Sequence, residues 1–330
     1  MAEKIRWGIL GCGKIAAKFA SDLRLVKDAM LVAVASRDAD KAAEFGRTYG
    51  AQLTFDSYDA LVASAIDVIY VATPHSFHHE HTMLCLSARK AVLCEKPFAI
   101  NLRQANEMIA TAKSSGVFVM EAFWSKFLPQ YRKVIELINA GAIGSITWIQ
   151  ADFGFKAPEP VPARLWDPLL GGGSLLDIGI YPVFLAQSLL GKPVDVNASV
   201  TLYPSGVDQQ CTITMKHKNG ALSSLSSTFS VDTPVQAVIA GTEGRIELRN
   251  RFHNPLAQVF LIKDRDTVQE IEVYREDGHG YQFEAQHVTD CLVNRLTESP
   301  VLTFQDTLDL METLDRIREA CGIKYPEDNP

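Results

Sequence analysis

An apolar strand that runs directly into a glycine-rich turn constrains this chain more than any other part of its sequence. Residues 5–10 lead into the pattern Gly11-x-Gly13-x-x-Ala16. In such a turn the first glycine allows a tight bend, the second lets a pyrophosphate approach the backbone, and the small third residue lets the next helix pack closely. A helical pattern and the continuous apolar run 30–36 complete a βαβ unit. The sequence therefore predicts a dinucleotide site, with a tight turn that binds no ligand as the alternative.

The end of the second predicted strand indicates which dinucleotide binds. NAD-binding folds normally carry an Asp or Glu there, about twenty residues past the glycines, to accept hydrogen bonds from the ribose. This chain has Ser36-Arg37 instead, and a hydroxyl with a guanidinium can bind a 2′-phosphate that a carboxylate would repel. We predict NADP, with NAD as the alternative if Arg37 is a solvated charge and Asp38 binds the ribose. The predicted contacts in the turn are Gly11, Cys12, Gly13, Lys14 and Ile15.

Length and composition fit a chain of two globular domains. The 330 residues exceed one ordinary core, and 47% apolar with 22% charged residues is usual for a globular protein. A formal net charge of −7 argues against general affinity for nucleic acid or anionic membranes. The N-terminus lacks a signal-peptide pattern, so we expect a cytoplasmic protein without a membrane span. The 6 scattered cysteines, without a C-x-x-C pair, predict reduced thiols.

The order of predicted elements divides the chain after residue 124. Over 1–124 buried strands alternate with helices, which predicts an α/β Rossmann domain with a doubly wound parallel sheet. Over 125–330 several strands follow one another and two helices close the chain, which predicts an α+β domain with a large, mostly antiparallel sheet. Helices on one side of such a sheet leave its other face open. We therefore predict a homodimer that covers this face.

Two segments carry residue types suited to proton transfer. Glu95-Lys96-Pro97 follows a predicted strand, at the carboxyl end where a doubly wound sheet binds its ligand. Asp177 and Tyr181 stand four residues apart, on one face of a helix predicted over 173–190. An ammonium roughly 4 Å from a phenolate stabilises it by about 4 kcal/mol at an effective dielectric near 20. This free energy is enough to lower the pKa of a tyrosine by roughly three units.

Lys96 and Tyr181 are therefore sufficient for general base catalysis if the fold brings them together. The alternatives are a solvated surface lysine after the strand, and a capping or core hydrogen bond for the carboxylate and the phenol.

These motifs together resemble one enzyme family. The glycine fingerprint, the Thr73-Pro74-His75 turn, Glu95-Lys96-Pro97 and Asp177-x-Gly-x-Tyr181 occur in an order and spacing similar to the glucose–fructose oxidoreductase and inositol dehydrogenase family, Gfo/Idh/MocA. The resemblance covers essentially the whole chain. It looks most like the branch of dimeric dihydrodiol dehydrogenase and NADP-dependent D-xylose 1-dehydrogenase.

The resemblance implies hydride transfer to a nicotinamide and an open-faced sheet used for substrate binding and dimerisation. It also implies that Lys96 is the catalytic lysine, Tyr181 the acid/base and Asp177 its substrate-orienting neighbour. Inositol dehydrogenase-like members have a histidine where this chain has Tyr181, which makes a cyclohexane polyol less favoured as substrate.

The family's usual Thr-Pro-Asn turn reads Thr73-Pro74-His75 here. The histidines at 75–81 could instead form a metal site, which is the alternative to a place in the cofactor crevice. Their spacing matches no standard zinc arrangement. We therefore predict no metal. The further predicted cofactor contacts are Ser36, Arg37, Thr73, Pro74, His78, Glu95 and Lys96.

Aromatic residues and an arginine on the loop 153–167 predict a wall for a flat or sugar-like substrate, with simple loop packing as the alternative. We predict an NADP-dependent dehydrogenase acting on a CH–OH group of a sugar, polyol or cyclic trans-diol. Alternatives are a glycosidase-like enzyme that uses bound cofactor transiently, and a protein that senses NADP without turnover. The predicted substrate contacts are Trp124, Phe153, Phe155, Arg164, Trp166, Asp177 and Tyr181.

Overall fold

The computed structural model describes residues 4–264 and 267–329. Within these ranges the chain forms two compact units. The first contains the described residues up to Trp124 together with Glu276–Leu308, and the second contains Ser125–Arg275 and the described residues from Asp309 onwards. The predicted division after residue 124 coincides with one of these boundaries. The structure differs from the prediction for 276–308, which lies in the first unit.

This late segment belongs to the first unit because helix α9 (Tyr281–Val293) packs on helix α1 (Lys14–Leu23). The carboxylate of Asp22, which is 1% exposed, accepts the backbone N–H groups of His279 at 2.8 Å and Tyr281 at 2.9 Å. A buried carboxylate needs such donors to offset its desolvation. The contact is therefore part of the core of this unit.

The first unit is built on a sheet of buried parallel strands. The strands are β1 (Ile5–Leu10), β2 (Ala29–Ala35), β3 (Leu53–Phe55), β4 (Val68–Val71), β5 (Ala91–Glu95) and β6 (Val119–Ala122). Over the described residues their order is β3-β2-β1-β4-β5-β6, and neighbouring strands are parallel. The order reverses between β1 and β4, where doubly wound folds bind ligands at the carboxyl ends of the strands. The predicted fold class of this domain is confirmed.

Helices connect these strands, and several begin and end at the residue types that favour helix termini. Asp38 and Asn101 cap the N-termini of α2 (Ala39–Tyr49) and α5 (Leu102–Ser115) through their side chains, while Gly50 and Gly116 close these helices in the left-handed conformation. The sequence did not predict the short helix α3 (Tyr58–Ala63). The helices between the strands are α2 (Ala39–Tyr49), α3 (Tyr58–Ala63), α4 (His78–Ser87) and α5 (Leu102–Ser115).

The second unit contains a large sheet with one buried and one open face. Its strands are β7 (Ile146–Gly154), β8 (Pro193–Leu202), β9 (Asp208–His217), β10 (Leu222–Thr228), β11 (Ala237–Gly241), β12 (Gly244–Arg249), β13 (Gln258–Ile262) and β14 (Val268–Ile271). In the described part of the chain the order is β14-β13-β12-β11-β7-β10-β9-β8. Neighbours are antiparallel except β7 and β10. The predicted mostly antiparallel sheet is confirmed.

The helical segment before β8 is not one regular helix. Leu175–Gly179 forms a π-helical turn that continues into α8 (Ile180–Leu190). Single π turns within helices occur frequently at functional sites. Helix α8 is buried over Ile180 to Gln187, so it lies in the core of the unit. The remaining helices are α6 (Pro129–Asn139), α7 (Ala163–Trp166) and α10 (Phe304–Cys321).

One helical segment of the described chain is long and apolar enough, by length and composition alone, to cross a membrane. This segment, Pro168–Leu190, has 23 residues, and 83% of its most apolar part is buried inside the fold. A helix that is apolar on all sides is either a core helix or a membrane span. The burial indicates a core helix.

Candidate active site

The glycine turn after β1 has the geometry that a bound pyrophosphate requires. Gly11 has φ +99°, and a Cβ there would lie 2.9 Å from the carbonyl oxygen of Ala72. A Cβ at Gly13 would meet no atom of the described chain within 4 Å, so this position faces open space. No side chain among the described residues caps the N-terminus of α1. The backbone N–H groups of the first turn of α1, which include those of Lys14 and Ile15, are therefore suited to bind phosphate oxygens.

The end of β2 places Ser36 and Arg37 at the edge of the same crevice. Ser36 is buried, and its Oγ accepts the backbone N–H of Asp38 at 3.3 Å. Asp38 in turn accepts the N–H of Lys41 at 3.1 Å as the cap of α2. The exposed Arg37 guanidinium lies 5.7 Å from the centroid of the Phe77 ring. Asp38 is thus engaged in capping, whereas stacking orients the guanidinium of Arg37.

His78 connects the two turns that follow β4 and β5. Its side chain is 0% exposed, with Nδ1 2.7 Å from the carbonyl oxygen of Pro97 and Nε2 2.8 Å from that of Thr73. Burial is the larger influence on this ring and lowers the pKa of His78 to about 4, although the two carbonyls oppose it. The sequence predicted a cofactor contact for His78. The structure instead gives it a bracing position, because both ring nitrogens face backbone.

Thr73 and Pro74 begin the turn that His78 holds. The Oγ1 of Thr73 lies 3.0 Å from Nδ1 of His81, a second histidine of α4. Burial lowers the pKa of His81 to about 4, and the positive charge of Arg37 acts in the same direction. Both histidines are therefore neutral at pH 7. Of these three side chains, that of Arg37 is the one whose positive charge attracts a phosphate.

Lys96 stands at the carboxyl end of β5 beside buried carboxyl groups. Glu95 is 8% exposed and accepts hydrogen bonds from the Tyr70 hydroxyl and, at 3.2 Å, from the backbone N–H of Lys96. Glu121 is 1% exposed and accepts a bond from Thr307 Oγ1 at 3.1 Å. Burial raises the pKa of Glu121 to about 7, and the Lys96 ammonium opposes the rise. The turn of Lys96 is thus anchored by its neighbours on β5 and β6.

In the second unit, Asp177 lies within the π turn and Tyr181 in the first turn of α8. The Asp177 side chain is 13% exposed, and its Oδ2 accepts a hydrogen bond from Arg164 Nη1 at 3.0 Å. Arg164 belongs to α7 and its side chain is 59% exposed. An ion pair at such an exposed position contributes little to stability. The ion pair does orient the Asp177 carboxylate. It also brings together Arg164 and Asp177, which are both predicted substrate contacts.

Tyr181 is 9% exposed and belongs to a small aromatic group. Its ring centroid is 5.8 Å from that of Phe153 and 4.9 Å from that of His253. Phe153 and His253 stack at 4.2 Å with an interplanar angle of 22°. The structure therefore brings together the predicted residues Phe153 and Tyr181, and it adds His253, which the sequence analysis missed. His253 follows β12 in a turn, where neither spacing nor periodicity signals its neighbours.

The other predicted wall residues have more varied surroundings. Phe155 packs on a hydrophobic cluster that includes Phe229, at a centroid distance of 5.1 Å. Trp166 is 40% exposed and its Nε1 donates to the carbonyl oxygen of Val161 at 3.1 Å. In the first unit, Trp124 stacks on Tyr281 at 4.8 Å. The packing alternative therefore describes Phe155 best, whereas Trp166 presents an open aromatic surface.

The histidines of 75–81 do not converge on one point. His79 pairs with Glu107 at 2.9 Å, His81 lies beside Thr73, and His78 faces two backbone carbonyls. Among residues 4–264 and 267–329, no group of three or more His, Cys, Asp or Glu side chains is arranged to hold a metal ion.

Comparison with known proteins agrees with this arrangement of two units. Residues 5–123 match the family model described as an oxidoreductase family with an NAD-binding Rossmann fold. Residues 131–247 match the GFO/IDH/MocA C-terminal domain. The segments that carry the glycine fingerprint, Lys96 and Tyr181 all lie within these matches.

Two relatives that are similar over almost the full length carry the same name. The trans-1,2-dihydrobenzene-1,2-diol dehydrogenase of Xenopus tropicalis is 36% identical over 97% of this chain and 99% of its own length. The human protein of that name is 33% identical over 98% and 99%, respectively.

Solved structures of similar proteins have the same fold. Aldose-aldose oxidoreductase from Caulobacter crescentus is 26% identical, with a TM-score of 0.89 over 97% of this chain and 98% of its own. KijD10, a 3-ketoreductase from Actinomadura kijaniata solved with NADP and TDP-benzene, is 25% identical, with a TM-score of 0.85 over 96% and 98%. The predicted family is confirmed. This chain belongs to the Gfo/Idh/MocA family of NAD(P)-binding oxidoreductases.

Proposed function

We propose that this oxidoreductase transfers a hydride between NADP and a CH–OH group of a sugar, polyol or cyclic trans-diol. The observation that carries the proposal is the environment of Tyr181. The Tyr181 phenol is 9% exposed, lies beside Phe153 and His253, and follows the Asp177 carboxylate by one turn of the same helical segment. Proton transfer accounts for this placement.

The cofactor, when bound, accepts or returns the hydride. In the oxidising direction the substrate carbon loses a hydride and its hydroxyl loses a proton, which leaves a carbonyl. We assign the proton to the Oη of Tyr181, with the Lys96 ammonium stabilising the phenolate that receives it. Asp177 accepts hydrogen bonds from substrate hydroxyls, while Arg164 keeps its carboxylate oriented. Phe153 and the exposed face of Trp166 contact the apolar faces of the ring.

The names of relatives support this substrate class. Proteins about one-third identical to this chain are named dehydrogenases of a cyclic trans-diol, and a structural neighbour is named for aldoses. The experiment that tests the class is reduced-nicotinamide absorbance with NADP and NAD separately, across aldoses, inositols and cyclic trans-diols. Net reduction with a trans-diol or an aldose supports the proposal. Cofactor that co-purifies and never accumulates in reduced form would point instead to the glycosidase-like alternative, and no turnover at all to a sensor.

The NADP preference is tested by Arg37→Ala. One charge-assisted hydrogen bond to the 2′-phosphate corresponds to about a ten- to hundredfold preference, so we expect kcat/KM for NADP to fall by that factor while kcat/KM for NAD is unchanged. Arg47→Ala is the matched control, because it removes an exposed arginine from the last turn of α2, at the other end of the helix that Asp38 caps. Equal use of both cofactors by the unaltered enzyme would contradict the role of Arg37.

We also propose that the open face of the large sheet forms a homodimer. Trp148 on β7 and Leu222 on β10 are register partners and are 39% and 43% exposed, so two large apolar side chains stand side by side on this face. Apolar surface of this kind marks interfaces. We expect the protein to have the mass of a dimer in solution light scattering and Trp148→Glu to have that of a monomer. Leu169→Glu, at a 64% exposed position outside the sheet, is the control. A monomeric unaltered protein would overturn the proposal.

A further inference from the structure

The π turn that carries Asp177 begins at a buried carboxylate. Asp208, the first residue of β9, is 0% exposed. Its Oδ2 accepts hydrogen bonds from Ser174 Oγ at 2.7 Å and from the backbone N–H of Leu175 at 2.6 Å. Leu175 is the first residue of the π turn. One oxygen of Asp208 therefore fixes both the side chain before the turn and the first N–H within it.

The end of the same turn is fixed by close packing on β10. Ser227 Oγ lies 2.8 Å from Ser174 Oγ, so β10 and β9 hold the same serine. A Cβ at Gly179 would lie 2.8 Å from Ser227 Oγ. Only a glycine lets the last residue of the π turn approach the strand this closely. The two ends of the five-residue turn are thus held by adjacent strands of the sheet.

The segment before the turn is held from the C-terminal end of the chain. The Tyr325 hydroxyl donates to the carbonyl oxygen of Gly172 at 2.5 Å. A Cβ at Gly173, which has φ +115°, would lie 2.4 Å from Asp208 Oδ1 and 3.0 Å from Tyr325 Oη. Position 173 therefore accepts only glycine, because the side chains of Asp208 and Tyr325 close around it.

We infer that Asp208 is a positioning residue, which holds the π turn so that Asp177 and Tyr181 present their oxygens to the substrate in one fixed direction. The inference rests on the proposed function of these two side chains. Asp208 contacts neither of them and acts through Ser174 and Leu175. Its anchoring needs an acceptor oxygen at the Oδ2 position rather than a negative charge, because both contacts are hydrogen bonds donated to that oxygen.

The test compares Asp208→Ala with Asp208→Asn. Alanine removes the acceptor oxygen. We expect kcat to fall about 10- to 100-fold, because a small misplacement of reacting groups lowers the rate by up to about this factor. The KM for NADP is expected to be unchanged, because the cofactor contacts lie in the first unit. Asparagine retains an acceptor oxygen, so we expect it to restore most of kcat. Ser174→Ala, which leaves the Leu175 bond in place, should have a smaller effect and provides a second measurement if Asp208→Ala does not fold.

Thr313→Val is the matched control. It removes a buried hydrogen bond at 2.7 Å to Gln187 of α8, away from the π turn, and should lower thermal stability without changing kcat. Unaltered kcat in both Asp208→Ala and Ser174→Ala would overturn the positioning role, as would an equal loss of kcat in Thr313→Val. The proposed function fails by a different result, which is full turnover by Tyr181→Phe.

Discussion

Tyr181→Phe is expected to lower kcat by about 10²- to 10⁴-fold, the usual contribution of a positioned general acid or base. The substitution removes a single oxygen and keeps the ring, so the packing on Phe153 and His253 is retained. Binding of NADP is expected to be unchanged, because its predicted contacts lie in the first unit. The measurement is single-turnover absorbance of reduced nicotinamide at saturating cofactor, together with NADPH fluorescence for cofactor binding.

Tyr131→Phe is a suitable control for this variant. Tyr131 is buried in the same unit, and its hydroxyl donates to Ser188 Oγ at 2.8 Å. Loss of that hydroxyl removes one buried hydrogen bond that takes no part in the proposed proton transfer, and should leave kcat unaltered. Full turnover by Tyr181→Phe, or an equal defect in Tyr131→Phe, would contradict the assignment of Tyr181 as acid/base.

Lys96→Met is expected to lower kcat by about 10²- to 10³-fold, since removing one preorganised electrostatic group costs this much in well-studied sites. Methionine keeps the length of the side chain and removes its charge. If the ammonium stabilises the Tyr181 phenolate, activity in the oxidising direction should also require a higher pH, because the base ionises less readily without the cation. The rate is measured across pH in both directions.

Lys27→Met removes an exposed lysine from the same unit and is the control for Lys96→Met. It should preserve both kcat and the pH profile. A pH profile that does not move in Lys96→Met would show that Lys96 acts on the cofactor or the substrate without acting on Tyr181.

The glycine turn and the βαβ unit around it could be predicted from sequence because their signals are local. Gly11 and Gly13 stand in one turn, and their backbone demands follow from strand, turn and helix in immediate succession. For such features, propensity and short-range geometry suffice. The structure accordingly shows the doubly wound parallel sheet that the first 124 residues predict.

The surroundings of Asp177 and Tyr181 could be predicted only in part. The spacing of Asp177 and Tyr181 indicated a shared helix face, but it did not indicate a π turn, which depends on packing against Ser227. Asp208 and His253 come from distant strands and turns, so no local pattern signals that they surround this segment. The bracing role of His78 was missed for the same reason, since it depends on two carbonyls that tertiary structure brings to one ring.

The contact between Asp22 and the backbone of His279 and Tyr281 has a consequence for how the protein is made. The unit that carries the glycine turn draws on both the start of the chain and Glu276–Leu308. During synthesis its core therefore stays incomplete until the ribosome has released that late segment. The whole intervening unit must emerge first, and a fragment ending at residue 124 would leave the Asp22 carboxylate buried without its donors or exposed to water.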